Sequence, residues 1–127
     1  MHTPPIAVLI VDDQPSFRRA AADVVAATPD FAVAGECADG EAAVERCRHG
    51  DIDLVLLDLN MPAPDGLETA ARLRLSAPSV QIVFVSTYAA GDVPADVHAA
   101  GHPYLQKSRL TPTVLADVWR ARTSGPV

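Results

Sequence analysis

Three aspartates and one lysine stand where apolar runs of this chain stop. Ile6-Ala7-Val8-Leu9-Ile10-Val11 runs into Asp12-Asp13, and Leu54-Val55-Leu56-Leu57 runs into Asp58, followed by Leu59-Asn60-Met61-Pro62. Pro103-Tyr104-Leu105-Gln106 delivers Lys107, the only lysine in the chain. If these runs are neighbouring parallel strands, acids and base converge at the carboxyl edge of one sheet, where open α/β sheets bind their ligands. Clustered carboxylates need a cation, because two like charges about 4 Å apart repel by roughly 4 kcal/mol at an effective dielectric of about 20. A hard divalent ion with oxygen ligands, Mg²⁺ first, relieves that repulsion. A carboxylate held at a strand end can also act as a nucleophile and take a phosphoryl group as an acyl phosphate. Asp58 is the candidate nucleophile. Asp13 and Asp58 would hold Mg²⁺ directly, Asp12 through water, and the backbone carbonyl of Asn60 would complete the protein's share. Lys107 would meet one phosphoryl oxygen, and Ser86, at the end of a further apolar run, would donate its hydroxyl to another.

The elements that must position these residues alternate along the chain. Ile6–Val11 shows no polar alternation and reads as a strand buried on both faces. A helix opens at Pro15 or Ser16 and runs to about Ala27, with Phe17, Ala20, Ala21, Val24 and Val25 at helical spacing. Phe31–Glu36 is a less apolar strand, fit for a sheet edge. Asp39 caps a helix to about Arg48, which His49-Gly50 stops. Leu54–Leu57 is the most apolar strand and therefore central. Asp65-Gly66 starts a helix closed by Ala77-Pro78, and Val80–Val85 is the fourth strand, ending in Ser86-Thr87. A short helix containing Pro94 follows to about Ala100. Tyr104–Gln106 is the last strand, and Thr111-Pro112 opens the final helix with Val114, Leu115, Val118 and Trp119.

Five strand–helix units with short loops predict a parallel sheet covered on both faces. Right-handed crossovers give the flavodoxin-like α/β fold, a (βα)5 three-layer sandwich with strand order 2-1-3-4-5. The first and third strands are then neighbours, and Asp12, Asp13 and Asp58 meet at the switch point. Taken singly, an Asp pair after a strand is often a helix cap and a serine after a strand is usually a turn residue. Their joint occurrence at four strand ends, with the sole lysine in the fourth place, argues for one site.

Composition narrows the function. The chain has 127 residues and is 49% hydrophobic, enough for one domain with one core, at about 6–122. A formal net charge of −6 and nine scattered arginines disfavour direct nucleic-acid binding. No apolar run approaches the ~20 residues of a membrane helix, and no signal-peptide pattern opens the chain, so a cytoplasmic place is expected. Met1–Pro5 reads as a flexible lead-in and Ser124–Val127 as a linker or frayed end. Cys37 and Cys47 read as buried or half-buried thiols in a reducing compartment, with no activating partner placed near Cys37. His49 and His98 read as helix-surface residues. Phosphate-loop, dinucleotide, serine-hydrolase and zincin motifs are absent.

The segments VLIVDDQ at 8–14, ADGEAAV at 38–44, DLVLLDLNMPAPDGLE at 53–68, VSTY at 85–88 and YLQK at 104–107 carry a family resemblance. Over essentially its whole length the chain resembles the receiver domain of bacterial two-component response regulators, most of all those of the NarL/LuxR type. The resemblance implies phosphoryl transfer from a sensor histidine kinase to Asp58 with Mg²⁺ at Asp12, Asp13, Asp58 and Asn60, and only slow self-phosphorylation and self-dephosphorylation rather than enzymatic turnover. It makes Ser86 the switch hydroxyl and Tyr104 the aromatic that turns inward when Ser86 engages the phosphoryl group. The output would be a downstream protein partner or effector domain, read through the fourth helix, last strand and last helix. NarL/LuxR-type receivers usually carry a helix-turn-helix domain, which this chain lacks, so a stand-alone receiver and one excised from a DNA-binding regulator are both open. A homodimer would use the first and last helices or the fourth-helix surface.

Some positions depart from the family pattern. Ser108 follows Lys107 where proline or aspartate is usual, which sets the family's cis peptide there in question. Thr87 replaces a small residue, His102-Pro103 precede the aromatic, and Pro94 falls in the fourth helix. These fall on the output surface rather than the acidic site, and they keep a phosphorylation-independent interaction module as an alternative. An Asp-nucleophile phosphatase of the haloacid-dehalogenase type would need an acid/base aspartate at position 60, where Asn60 cannot move a proton. Trp119 is either a wedge in the core or part of a dimer patch.

Overall fold

The computed structural model describes residues 4–122; the expected lead-in at 1–3 and the tail at 123–127 lie outside them. Five strands, β1 (Ile6–Val11), β2 (Phe31–Cys37), β3 (Leu54–Asp58), β4 (Gln81–Ser86) and β5 (Tyr104–Gln106), form one parallel sheet in the order β2-β1-β3-β4-β5. Helices α1 (Pro15–Ala27), α2 (Gly40–Arg48), α3 (Gly66–Ser76), α4 (Ala95–Ala99) and α5 (Pro112–Ala121) alternate with them. The order and the three layers are those expected.

Alternation along the strands splits the core in two. Leu9, Val11, Val55, Leu57, Ile82 and Phe84 face Ala43 and Cys47 of α2, Ala70 and Leu73 of α3, and Val97 of α4. Their chain neighbours Val8, Ile10, Leu54, Leu56, Val83 and Val85 face Ala21 and Val25 of α1 and Leu115 of α5. Every residue of β3 is buried, whereas β2, on the edge, is only half-buried along most of its length. That gradient is why Leu54–Leu57 is the most apolar run.

Local chemistry sets the helix starts. The side chains of Asp39, Asp65 and Thr111 accept hydrogen bonds from the N–H groups of Ala42, Glu68 and Val114, satisfying donors that a first turn leaves unpaired. Just past α2, Gly50 takes φ +78°, a left-handed conformation that costs glycine little. Strands β2, β3 and β4 each run one residue further than expected, to Cys37, Asp58 and Ser86, and two element starts move. Strand β4 begins at Gln81, because the Val80 N–H is spent on a turn to the Ala77 carbonyl while the Gln81 N–H reaches Asp53 across the sheet at 3.0 Å. Pro94 stands ahead of α4 rather than inside it, and its carbonyl accepts the Val97 N–H at 3.1 Å. Proline is tolerated there because it surrenders no helical N–H.

Among the described residues the one cis peptide is Ala63–Pro64; Lys107–Ser108 is trans and opens a 3₁₀ turn, Lys107–Arg109. Trp119 meets Phe31 edge-to-face with centroids 6.3 Å apart, half-buried against the α1/α5 core, and Arg122 stacks 3.5 Å from its ring centroid. These contacts favour the core-wedge reading of Trp119. His49 and His98 are exposed, as expected, but His102 is not: its ring packs edge-to-face on Phe84 and its Nε2 is buried without a hydrogen-bond partner.

Candidate functional site

Strand register brings the sequence-predicted residues together. Val11 pairs with Leu57, so Asp12 and Asp58 leave adjacent strands side by side. Asp58 pairs with Val85, which sets Ser86 one step beyond, and Ser86 pairs with Gln106, which hands the next position to Lys107. The four strand ends therefore open on one spot at the carboxyl edge. Carboxylate oxygens of Asp12, Asp13 and Asp58 all lie within 4.8 Å of one another. Asp12, Asp58 and Ser86 are buried, at 0%, 2% and 1% exposure, while Asp13 faces solvent.

Lys107 reaches into this cluster. Its Nζ lies 2.7 Å from Asp12 Oδ2 and 3.7 Å from Asp58 Oδ1, and 4.5 Å from the ring centroid of Phe17. The ammonium is thus held between two buried carboxylates and the negative face of an aromatic ring. Asp12 Oδ1 accepts the Gln14 N–H at 2.8 Å. Asp12 Oδ2 takes no aligned hydrogen bond; its partner is the Lys107 charge. Burial pushes the Asp58 carboxyl above the usual carboxylate range, and Asp12 and Asp13 push the same way. The Asn60 N–H, 3.2 Å from Asp58 Oδ1, and Lys107 pull it back only in part.

Three contacts carry no sequence signal of their own: Phe17 under Lys107, the Gln14 N–H on Asp12, and the Asn60 side chain. Asn60 Nδ2 donates to Ser86 Oγ at 2.8 Å, joining the loop after β3 to the end of β4. The Tyr104 hydroxyl donates to the Tyr88 carbonyl at 2.6 Å, so Tyr104 binds the loop after β4. Burial raises the Tyr104 phenol, and the Ser86 hydroxyl beside it lowers it in part. Thr87 is exposed to solvent, and its carbonyl accepts from Gln106 Nε2 at 3.3 Å. Cys47 is buried and Cys37 half-buried, and burial raises both thiols. Arg46 and Arg18 do stand near Cys37, contrary to expectation, but do not overcome its desolvation, so neither cysteine is activated.

Residues 8–117 match the family model of the response regulator receiver domain. The chain belongs to that family. This receiver is 37% identical over 122 residues to the nitrate/nitrite response regulator NarP of Escherichia coli K12, covering 95% of this chain and 56% of NarP. Its identity to the response regulator UvrY of the same strain is 32% over 114 residues, covering 89% of this chain and 52% of UvrY. The chain thus spans about half the length of the curated relatives it matches. Among solved structures it superposes with a TM-score of 0.81 and 28% identity on the signal receiver domain of a NarL response regulator of Mycobacterium tuberculosis, covering 98% and 100% of the two chains. A chain from the crystal structure of the CheA3 P1 domain in complex with CheY6 of R. sphaeroides gives 0.80 and 28%, covering 97% and 100%.

Receivers are signalling domains of two-component systems, mostly regulators rather than enzymes, and they interact with histidine kinases and effector domains. The residues at this edge fit Mg²⁺: Asp12, Asp13 and Asp58 each bring a hard carboxylate oxygen within 4.8 Å of the others. No helix among the described residues is long and apolar enough to cross a membrane.

Proposed function

We propose that this receiver takes a phosphoryl group from the phosphohistidine of a sensor kinase onto Asp58 and thereby switches a protein-interaction surface in the cytoplasm. The observation that carries the reading is the placement of Lys107 at 2.7 Å from Asp12 and 3.7 Å from Asp58, the two buried members of a three-carboxylate cluster. An oxygen of the Asp58 carboxylate forms the new bond to phosphorus as the P–N bond to the donor imidazole breaks, and the product is an acyl phosphate. Asp13, Asp58 and the Asn60 carbonyl would hold Mg²⁺, with Asp12 acting through water. The bound ion supplies positive charge against the phosphoryl oxygens. Lys107 would exchange its Asp12 contact for a phosphoryl oxygen, and Ser86 would donate to a second one. Tyr104, hydrogen-bonded to the loop after β4, would sense the Ser86 hydroxyl and pass its state to the α4–β5–α5 face.

The relatives' greater length favours a receiver that works beside an effector domain, with the DNA-facing output belonging to that domain rather than to this acidic chain. The test is intact mass after incubation with acetyl phosphate and Mg²⁺. A single adduct of about 80 Da, absent from Asp58→Asn and absent without Mg²⁺, is expected. A folded, Mg²⁺-binding protein that takes no adduct would instead be a phosphorylation-independent interaction module.

A further inference from the structure

Beyond its place as a backbone metal ligand, Asn60 contributes a side chain whose direction is unusual for a site that gathers anions. Its amide donates to Ser86 Oγ at 2.8 Å, across 26 residues of sequence. Ser86 is 1% exposed, so no bulk water competes for its oxygen. A hydroxyl has one proton and accepts through lone pairs. An oxygen that already accepts from Asn60 presents its proton on another side. An acceptor for that proton is a phosphoryl oxygen on Asp58 when one is present.

We infer that the Asn60 side-chain amide is a positioning residue: it fixes Ser86 as a hydrogen-bond donor and so prepares it for the phosphoryl group. The role rests on the phosphoacceptor reading above. Asn60 acts here through Ser86 and never touches the reacting atoms with this amide. Its effect must therefore vanish when Ser86 has no hydroxyl.

Asn60 is the only asparagine in the chain, so selective ¹⁵N-asparagine labelling yields a single side-chain NH₂ pair. In the metal-free wild type one of its two protons should exchange with water at least about fivefold more slowly than the other. Ser86→Ala should abolish that asymmetry and Ser86→Thr should retain it. An unchanged pair in Ser86→Ala would overturn the inference. The second arm follows the acetyl-phosphate adduct. Asn60→Ala should change its steady-state level by about three- to tenfold, the worth of one hydrogen bond. In the Ser86→Ala background the same substitution should change it by less than about twofold. Additive losses would show that Asn60 does not act through Ser86, with the phosphoacceptor reading intact. A wild type that takes no adduct overturns that reading and this role with it, while the NMR arm still decides separately whether the Asn60–Ser86 bond exists.

Discussion

Removing the charge of Asp58 should make the metal-free protein more stable. At the 4.8 Å limit that bounds the cluster, Asp12 and Asp58 repel by about 3.5 kcal/mol at an effective dielectric of about 20. Lys107, 3.7 Å away, attracts Asp58 by about 4.5 kcal/mol on the same scale, and the two terms nearly cancel. What remains, offset only in part by the Asn60 N–H, is the repulsion from Asp13, weakened by water because Asp13 is exposed, and the cost of burying a carboxylate at 2% exposure. Both disfavour the charge. Asp58→Asn keeps the shape and discards the charge, for an expected gain of about 1–2 kcal/mol, or roughly 4–8 °C in Tm for a domain of this size. The pH dependence has a definite sign. A carboxyl held above its ordinary range binds its proton more tightly folded than unfolded, so its stabilising contribution is full below about pH 3.9 and is lost as pH rises through the folded value. The gap between variant and wild type is therefore widest at neutral pH and closes toward acid. Thermal unfolding by circular dichroism in EDTA reads both, and Mg²⁺ should raise the wild-type Tm by more than the variant's. A variant no more stable than wild type at pH 7.5 in EDTA would refute the charge argument.

Lys107→Ala leaves the buried Asp12 carboxylate without its cation and should cost about 3 kcal/mol in EDTA, with much of the loss recovered in Mg²⁺; the same variant should still accept a phosphoryl group while failing to transmit it to a partner, and equal loss of both would count against its switch role. Gly66→Ala would drive a methyl into the Asp58 carbonyl and to 2.7 Å from Leu59 Cα, so a loss of about 2–3 kcal/mol and poor labelling of Asp58 are expected in denaturant titration and mass analysis. His102 is held neutral by burial, with Arg74 adding to the effect, so its folded proton affinity lies below the ordinary histidine value. Its contribution is present above about pH 6.5 and lost as pH falls below that, and His102→Leu should flatten the Tm profile between about pH 6.5 and 5 in an Asp58→Asn background.

The sheet was legible because strand burial is written in composition: Leu54–Leu57 is apolar throughout and central, and Phe31–Cys37 is mixed and at the edge. Caps were legible because each is local, with Asp39, Asp65 and Thr111 bonding three residues ahead. The acidic cluster followed from strand order alone, since register converts position after a strand into position in space. Contacts between distant side chains leave no such trace. Nothing about Phe17 says that it lies under Lys107, and nothing about Asn60 says that its amide meets Ser86. His102 hid for a related reason, because a single polar residue ahead of a three-residue strand has no periodicity to reveal its packing on Phe84. The start of the fourth helix is not legible in sequence, because a helix that Pro94 precedes and one that contains it have the same residues in the same order.

The solitary lysine also sets how this protein can be handled at the bench. Its one ε-amine is wedged between Asp12 and Phe17. Amine-directed labels will find the chain's α-amino group and little else while the site is closed. A reagent that does reach the ε-amine modifies the acidic cluster itself. Dyes, surface couplings and lysine cross-linkers therefore act at that cluster. The same fact makes one ¹³C-methylated lysine a clean reporter of what occupies the pocket.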